Sequence, residues 1–225
     1  MNLIDGLRGG LVVSVQAWAG SAIDDPGVLA AMARAAADNG AVGVRVQGAA
    51  NLAAVRARVR VPIVGIVKRA YDGFEPYITP TLHEVREIVD AGAEIVAFDA
   101  TARQRPGGIT TAGLVEAIHA AGALAMADCS DEADGVTAAG IGADIIATTL
   151  CGYTKETRGR KLPALDLVRA FADLDVFVIC EGGIHCPADG RAALEAGAGA
   201  IVVGTAITNT DWLVDSYVAE LKRKV

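Results

Sequence analysis

The stretch Val85-Arg86-Glu87-Ile88-Val89-Asp90-Ala91-Gly92-Ala93-Glu94-Ile95-Val96-Ala97-Phe98-Asp99 contains one unit of the fold. Val85, Ile88 and Val89 recur at three- and four-residue spacing, which gathers them on one helical face. Gly92 can take the left-handed conformation that ends a helix cheaply. The run from Glu94 to Asp99 then reads as a buried strand closed by a carboxylate. The same helix exit recurs at Asn39-Gly40-Ala41, Ala121-Gly122-Ala123, Ile141-Gly142-Ala143 and Ala196-Gly197-Ala198. Short apolar runs alternate with Ala-rich segments from one end of the chain to the other. This is the rhythm of repeated βα units and of a parallel sheet.

Strands are expected at Leu11 to Gln16, Val42 to Val46, Ile63 to Val67, Glu94 to Asp99, Leu124 to Asp128, Asp144 to Thr148, Val176 to Cys180 and Ala200 to Gly204. Eight such units in 225 residues, with no composition break or linker, predict an α/β chain closed into one (β/α)8 TIM barrel over residues 1–225. An open doubly wound sheet would be complete well before the chain ends. The composition is 52% hydrophobic and only 4% aromatic, so the core must come from Ala, Val, Ile and Leu, which suits close packing of helices on a sheet.

Twenty basic against twenty-seven acidic residues leave a formal charge of -7. Such a surface repels nucleic acid and anionic lipid, and the only basic cluster is Lys222, Arg223 and Lys224. Neither is expected as a partner. No apolar run is long enough to cross a bilayer, and Met1 to Gly10 lacks the apolar core of a signal peptide. A cytoplasmic location is expected. Cys129, Cys151, Cys180 and Cys186 show neither CxxC pairing nor zinc-ligand rhythm, so free thiols and no metal are expected.

The residues at or just after the expected strands are Gln16, Arg45, Lys68, Asp99, Asp128, Thr148 with Thr149, Glu181 and Gly204. In a barrel these positions converge on one mouth. Each also has a structural reading: Asp99 as a turn cap, Arg45 as the neutraliser of Asp99 or Asp128, Thr148 as strand filler. As a set they describe a pocket. The longest non-periodic loops, Lys68 to Pro80, Thr101 to Thr110 and Gly152 to Lys161, all follow strands and so fall on the same face.

Lys68 ends the apolar run Ile63-Val64-Gly65-Ile66-Val67, where desolvation favours the neutral amine and makes it a base or a Schiff-base nucleophile. Glu181 precedes Gly182-Gly183-Ile184, so its carboxylate stands where backbone can approach a ligand closely. Glycine-rich loops after strands seven and eight, at Gly182-Gly183 and Gly204-Thr205, form the phosphate-binding arrangement common in these barrels. His83 and His119 read as surface residues. His185, Tyr153 and Trp212 are open between packing and substrate contact.

Arg8-Gly9-Gly10-Leu11-Val12-Val13-Ser14-Val15-Gln16-Ala17, Gly40-Ala41-Val42-Gly43-Val44-Arg45 and Val64-Gly65-Ile66-Val67-Lys68-Arg69 resemble the first three strands of the N-acylglucosamine-6-phosphate 2-epimerase family, the N-acetylmannosamine-6-phosphate 2-epimerases. Asp99-Ala100-Thr101, Met126-Ala127-Asp128-Cys129-Ser130, Thr148-Thr149-Leu150-Cys151-Gly152-Tyr153-Thr154, Glu181-Gly182 and Gly204-Thr205-Ala206-Ile207-Thr208 continue the match in family order. The resemblance implies interconversion of N-acetylmannosamine 6-phosphate and N-acetylglucosamine 6-phosphate in sialic acid catabolism, with no metal or organic cofactor. It makes Lys68 the catalytic base and acid, and has Glu181 assist at the sugar ring. Gln16, Arg45 and Asp128 would hold the sugar and its acetamido group, with Thr148 and Tyr153 counted among the substrate contacts. Gly182, Gly183, Gly204 and Thr205 would hold the phosphate. The partner is then a small phosphorylated amino sugar, and a homodimer is a possible assembly.

Two positions depart from the pattern. Gly183 stands where the family often has a larger polar or basic residue, and Asn209-Thr210 where it usually has Arg-Pro. Both remove positive charge from the phosphate end, which the basic residues Arg158, Arg160 and Lys161 could restore if their loop acts as a lid. The nearest rivals are a Schiff-base aldolase using Lys68 and a non-catalytic phosphosugar sensor.

Overall fold

Eight parallel strands hydrogen-bond in chain order and close on themselves in a computed structural model that describes residues 2–223. Met1, Lys224 and Val225, and with Lys224 one member of the terminal basic cluster, lie outside the described residues. The strands are β1 (Leu11–Val15), β2 (Gly43–Gln47), β3 (Ile63–Ile66), β4 (Ile95–Asp99), β5 (Leu124–Asp128), β6 (Ile145–Ala147), β7 (Phe177–Glu181) and β8 (Ala200–Val203). Closure is explicit in the register of the first and last, where Leu11, Val12 and Val13 pair with Ile201, Val202 and Val203. The expected (β/α)8 barrel is the fold.

The helices are α1 (Leu3–Leu7), α2 (Pro26–Asp38), α3 (Ala49–Arg56), α4 (Leu82–Asp90), α5 (Thr111–Ala120), α6 (Glu132–Gly140), α7 (Leu165–Ala172), α8 (Pro187–Glu195), α9 (Thr205–Thr208) and α10 (Thr210–Leu221). Their starts are chemically marked. Thr81 and Glu84 form a reciprocal capping box on α4, while Asp25 and Asp131 accept the Val28 and Asp134 N–H groups at 3.0 Å on α2 and α6. The five helix exits read from the sequence have glycine φ values between 80° and 110°, a region closed to most side chains. Among the described residues, no helix is long and apolar enough to cross a membrane.

Alternation along each strand sorts the side chains into two layers. One parity, including Val12, Val64, Ile66, Ile95, Ala97, Met126, Ile145, Ile179 and Val202, fills the barrel interior. The other, including Val13, Val44, Val46, Val96, Phe98, Ile146, Val178 and Val203, packs under the helices. The fully buried Leu7 of α1 joins the inner layer from below.

The loop from Lys68 to Pro80 is more ordered than expected. Lys68 and Ile78 form an antiparallel bridge, Thr79 N–H donates to Val67 O at 2.7 Å, and Asp99 N–H donates to Ile78 O at 3.0 Å. Thr79 adopts φ 44°, which a β-branched residue rarely visits. It is fully buried, and its hydroxyl donates to Ala97 O at 2.7 Å. The segment thus forms a strap between β3 and β4 that fixes the backbone beside Lys68. At the other end of the chain, α10 buries none of its side chains.

Candidate active site

A cleft of about 500 Å3 opens at the carboxyl ends of the strands. Of the residues expected there, Gln16, Arg45, Lys68, Tyr153, Glu181, Gly182, Gly183, Gly204 and Thr205 line it. So do Ser14, Trp18, Tyr77, Thr149, His185, Asn209 and Trp212. A larger cleft, about 590 Å3, runs beneath Phe74 and residues 101–111. It contains neither the lysine nor the carboxylate that acid–base chemistry needs, so the smaller cleft is the candidate.

Inward parity explains how the polar ring is assembled. Ser14, Arg45, Lys68, Asp99, Asp128, Thr149, Glu181 and Gly204 each follow an inward strand residue by two positions or pair with one that faces the cleft. Thr148 has the opposite parity and does not line the cleft. It is fully buried, its hydroxyl donating to Glu181 O at 2.9 Å and accepting Glu181 N–H at 3.1 Å. That corrects the expectation of a substrate contact at Thr148: the residue holds the Glu181 backbone, and Thr149 faces the cleft in its place. Asp128 does point inward but lies covered, with no exposed surface, behind Arg45 and Thr149. It stands behind these two side chains and does not line the cleft.

Asp99 follows its bland reading. One carboxylate oxygen accepts Thr101 N–H at 3.0 Å and the Thr101 hydroxyl at 2.6 Å, and the other pairs with Arg103 at 2.7 Å. Arg45 neutralises Asp128, not Asp99. Its guanidinium, 1% exposed, donates to Asp128 through Nη1 at 3.0 Å and Nη2 at 2.6 Å, and to Glu181 Oε2 through Nη1 at 2.7 Å. The Thr149 hydroxyl reaches Asp128 Oδ1 at 2.6 Å, with Glu181 Oε2 3.1 Å away. One cation thus joins two carboxylates in a desolvated cluster. Among the described residues, Gln16 Oε1 and Arg45 Nε find no partner, while Gln16 Nε2 donates to Ser14 Oγ at 2.7 Å.

The electrostatics separate the groups by task. Burial pushes the Glu181 carboxyl above its ordinary value, opposed by Arg45 and assisted by the charge of Asp128. Burial and then the like charge of Arg45 pull the Lys68 ammonium down, against the pull of Glu181 and Asp128. Lys68 is itself exposed to solvent, so its desolvation comes from the walls of the mouth and is incomplete. It makes no ion pair among the described residues. Its neighbour Arg69 points the other way, to Glu84 and to Glu87 at 3.0 Å. The Tyr77 phenol, carried on the strap, is pushed up by burial and by Asp128 and Asp99.

At the opposite wall, Gly183 has φ 72°, and a Cβ there would meet the Leu162 Cβ at 2.2 Å. That explains the absence of a larger residue: Leu162 already fills the space. Asn209, in place of arginine, caps α10 by accepting Trp212 N–H at 2.9 Å. The basic loop does not supply the missing charge. Lys155 pairs with Glu75 at 2.5 Å and Arg160 with Asp166 at 2.8 Å, while Arg158, Arg160 and Lys161 lie outside the cleft lining. His83 is exposed on α4, and His119 meets Asp144 at 2.7 Å.

The family model NanE, described as "Putative N-acetylmannosamine-6-phosphate epimerase", matches residues 29–223. Two relatives described as "Putative N-acetylmannosamine-6-phosphate 2-epimerase" come from Caldanaerobacter subterraneus and Salmonella arizonae. The first is 40% identical over all of this chain and 96% of its own length, the second 45% identical over 96% of this chain and 93% of its own. A solved structure of the N-acetylmannosamine-6-phosphate 2-epimerase from Clostridium perfringens superposes with a TM-score of 0.94 at 37% identity, covering 98% of this chain and 96% of that one.

Proposed function

We propose that this chain, which belongs to the N-acetylmannosamine-6-phosphate 2-epimerase family, is an isomerase interconverting N-acetylmannosamine 6-phosphate and N-acetylglucosamine 6-phosphate by proton removal and return at C2. The reaction serves sialic acid catabolism, and residues 1–225 act as one catalytic domain. The observation that carries the reading is that Lys68, Arg45 and Glu181 line a single cleft.

The C2 hydrogen of an acetamido sugar is usefully acidic only when C1 is a free aldehyde, so the open-chain form must come first. Glu181, whose carboxyl burial and the charge of Asp128 push above its ordinary value, donates its proton to the ring oxygen as the bond from that oxygen to C1 breaks and the O1 proton passes to water. Lys68 then takes the C2 proton as a neutral amine and becomes ammonium. The electron pair moves into an enolate, with C1=C2 formed and the charge on O1, which faces the guanidinium of Arg45, already placed by Asp128 and so needing little reorganisation. A proton delivered from water to the opposite face of C2, with Lys68 releasing its own proton to solvent, completes the inversion and restores the neutral amine. Gln16 and Tyr153 contact the sugar, while Gly182, Gly183, Gly204 and Thr205 receive the phosphate through backbone N–H groups.

The test is proton NMR of N-acetylmannosamine 6-phosphate in deuterated water. Wild type should exchange the C2 hydrogen, and Lys68→Ala should lose about 10²- to 10⁴-fold in rate, the usual worth of a general base, with an unchanged circular dichroism spectrum. Borohydride trapping of an imine at Lys68, without C2 exchange, would instead favour the aldolase chemistry that the same amine permits.

We further infer a homodimer located in the cytoplasm. Its support is an apolar stripe on α10, where Val214, Tyr217, Val218 and Leu221 are all exposed, together with an uncovered apolar groove outside β8 lined by Leu194, Ile201, Val203 and Ile207. Surfaces of this kind mark association. Light scattering should give twice the chain mass, and Tyr217→Glu with Leu221→Glu should reduce it to one; a monomeric wild type would end the idea.

A further inference from the structure

We infer that His185, stacked on Trp212, is the side chain that binds the phosphate group of the substrate, an inference that rests on the phosphosugar reading above. The cleft is lined by three groups able to carry positive charge, Arg45, Lys68 and His185. Arg45 is already committed to Asp128 and Glu181. Lys68 follows β3, which lies four strands from β7 around a closed eight-stranded barrel, and so stands across the mouth from the loops after β7 and β8. Those loops hold Gly182, Gly183, Gly204 and Thr205, whose backbone N–H groups can donate to a phosphate but carry no net charge to match a dianion. His185 lies in the same wall.

The imidazole is built to stay there. Its loop is pinned by Asp189, whose carboxylate accepts the His185 N–H at 2.9 Å and the Cys186 N–H at 3.1 Å. The ring stacks on the Trp212 indole with centroids 5.6 Å apart and planes 14° from parallel. Trp212 is in turn fixed by the Asn209 cap at the start of α10. Among the described residues, neither ring nitrogen of His185 makes a hydrogen bond. A donor that is held in place yet uncommitted loses little freedom on binding. The ring can donate to a phosphate oxygen as a neutral tautomer and adds a matching charge when protonated.

The full-length protein would be compared as wild type, His185→Ala and His185→Gln, reading C2-exchange kinetics and the binding of inorganic phosphate by calorimetry. His185→Ala should raise KM about tenfold, the worth of one hydrogen bond to a charged group. It should leave kcat within about twofold and weaken inorganic phosphate by the same factor as KM. His185→Gln, which keeps a donor, should recover part of both losses. Unchanged KM and unchanged phosphate binding in His185→Ala would overturn the inference, as would a fall in kcat with KM and phosphate binding intact. Because phosphate binding is read without turnover, a wild type that binds phosphate through His185 but exchanges no C2 hydrogen would refute the epimerase reading and spare this one.

Discussion

Replacing Asp128 with alanine tests the claim that one buried cation organises the site. Asp128 has no exposed surface and accepts three hydrogen bonds: from Arg45 Nη1 at 3.0 Å, Arg45 Nη2 at 2.6 Å and Thr149 Oγ1 at 2.6 Å. Breaking a buried ion pair by removing one partner costs about 3–5 kcal/mol, because the remaining charge is stranded away from water. Here Glu181 still sits 2.7 Å from Arg45, so the lower end, about 3 kcal/mol, applies. For a chain of this size each kcal/mol moves Tm by about 2–4 °C, which gives a fall of about 6–12 °C. Thermal melts and urea titrations at neutral pH read the effect. The double variant Arg45→Met with Asp128→Ala should regain part of the loss, since the buried cation is gone and the remaining carboxylate, Glu181, keeps the Thr149 hydroxyl 3.1 Å away. The reasoning is refuted if the single variant loses less than about 1 kcal/mol, or if the double variant is no more stable than the single.

Lys68→Met should abolish C2 exchange yet raise Tm at neutral pH, because burial and Arg45 disfavour the charged amine. With its folded value below 10.5, the charged lysine's cost is fully present beneath that folded value and is relieved as pH climbs toward 10.5, so the Tm gain should shrink in alkali; a melt of Lys68→Met below wild type at pH 7 would contradict this. Gly183→Ala places a Cβ 2.2 Å from Leu162 Cβ at φ 72° and should cost about 1–3 kcal/mol while raising KM. An unchanged melt would mean that the loop yields more freely than its packing suggests.

Much of this molecule is readable in the sequence because each unit repeats the same physical switch, from helical spacing through a left-handed glycine to a buried strand. Strand ends could be placed only to about a residue, and that tolerance decides which side chains face a barrel's interior. The choice between Thr148 and Thr149 turned on it. Counting by twos from Ile145 through Ala147 selects Thr149, a signal the strand-end reading did not use. Depth was hidden for a different reason. Asp128 has the inward parity, but whether it touches ligand or stands behind Arg45 depends on the length of the arginine side chain extending over it. The stack of His185 on Trp212 joins the loop after β7 to the first turn of α10, and the strap carrying Tyr77 is an antiparallel bridge that no periodicity announces.

The pair Lys68 and Arg69 shows what that alternation does for chemistry. A one-residue slip in β3 would exchange their directions. The guanidinium would then enter the mouth, where a group that stays protonated at every working pH cannot remove a proton from carbon. Glu84, fully buried and bonded to Arg69, the Tyr71 hydroxyl at 2.8 Å and the Thr81 N–H at 3.0 Å, would lose its cation. The carboxylates of α4 therefore favour this register at the end of β3 from outside the barrel. By drawing Arg69 outward they leave the inward position to the one neighbouring cation that can give up its proton.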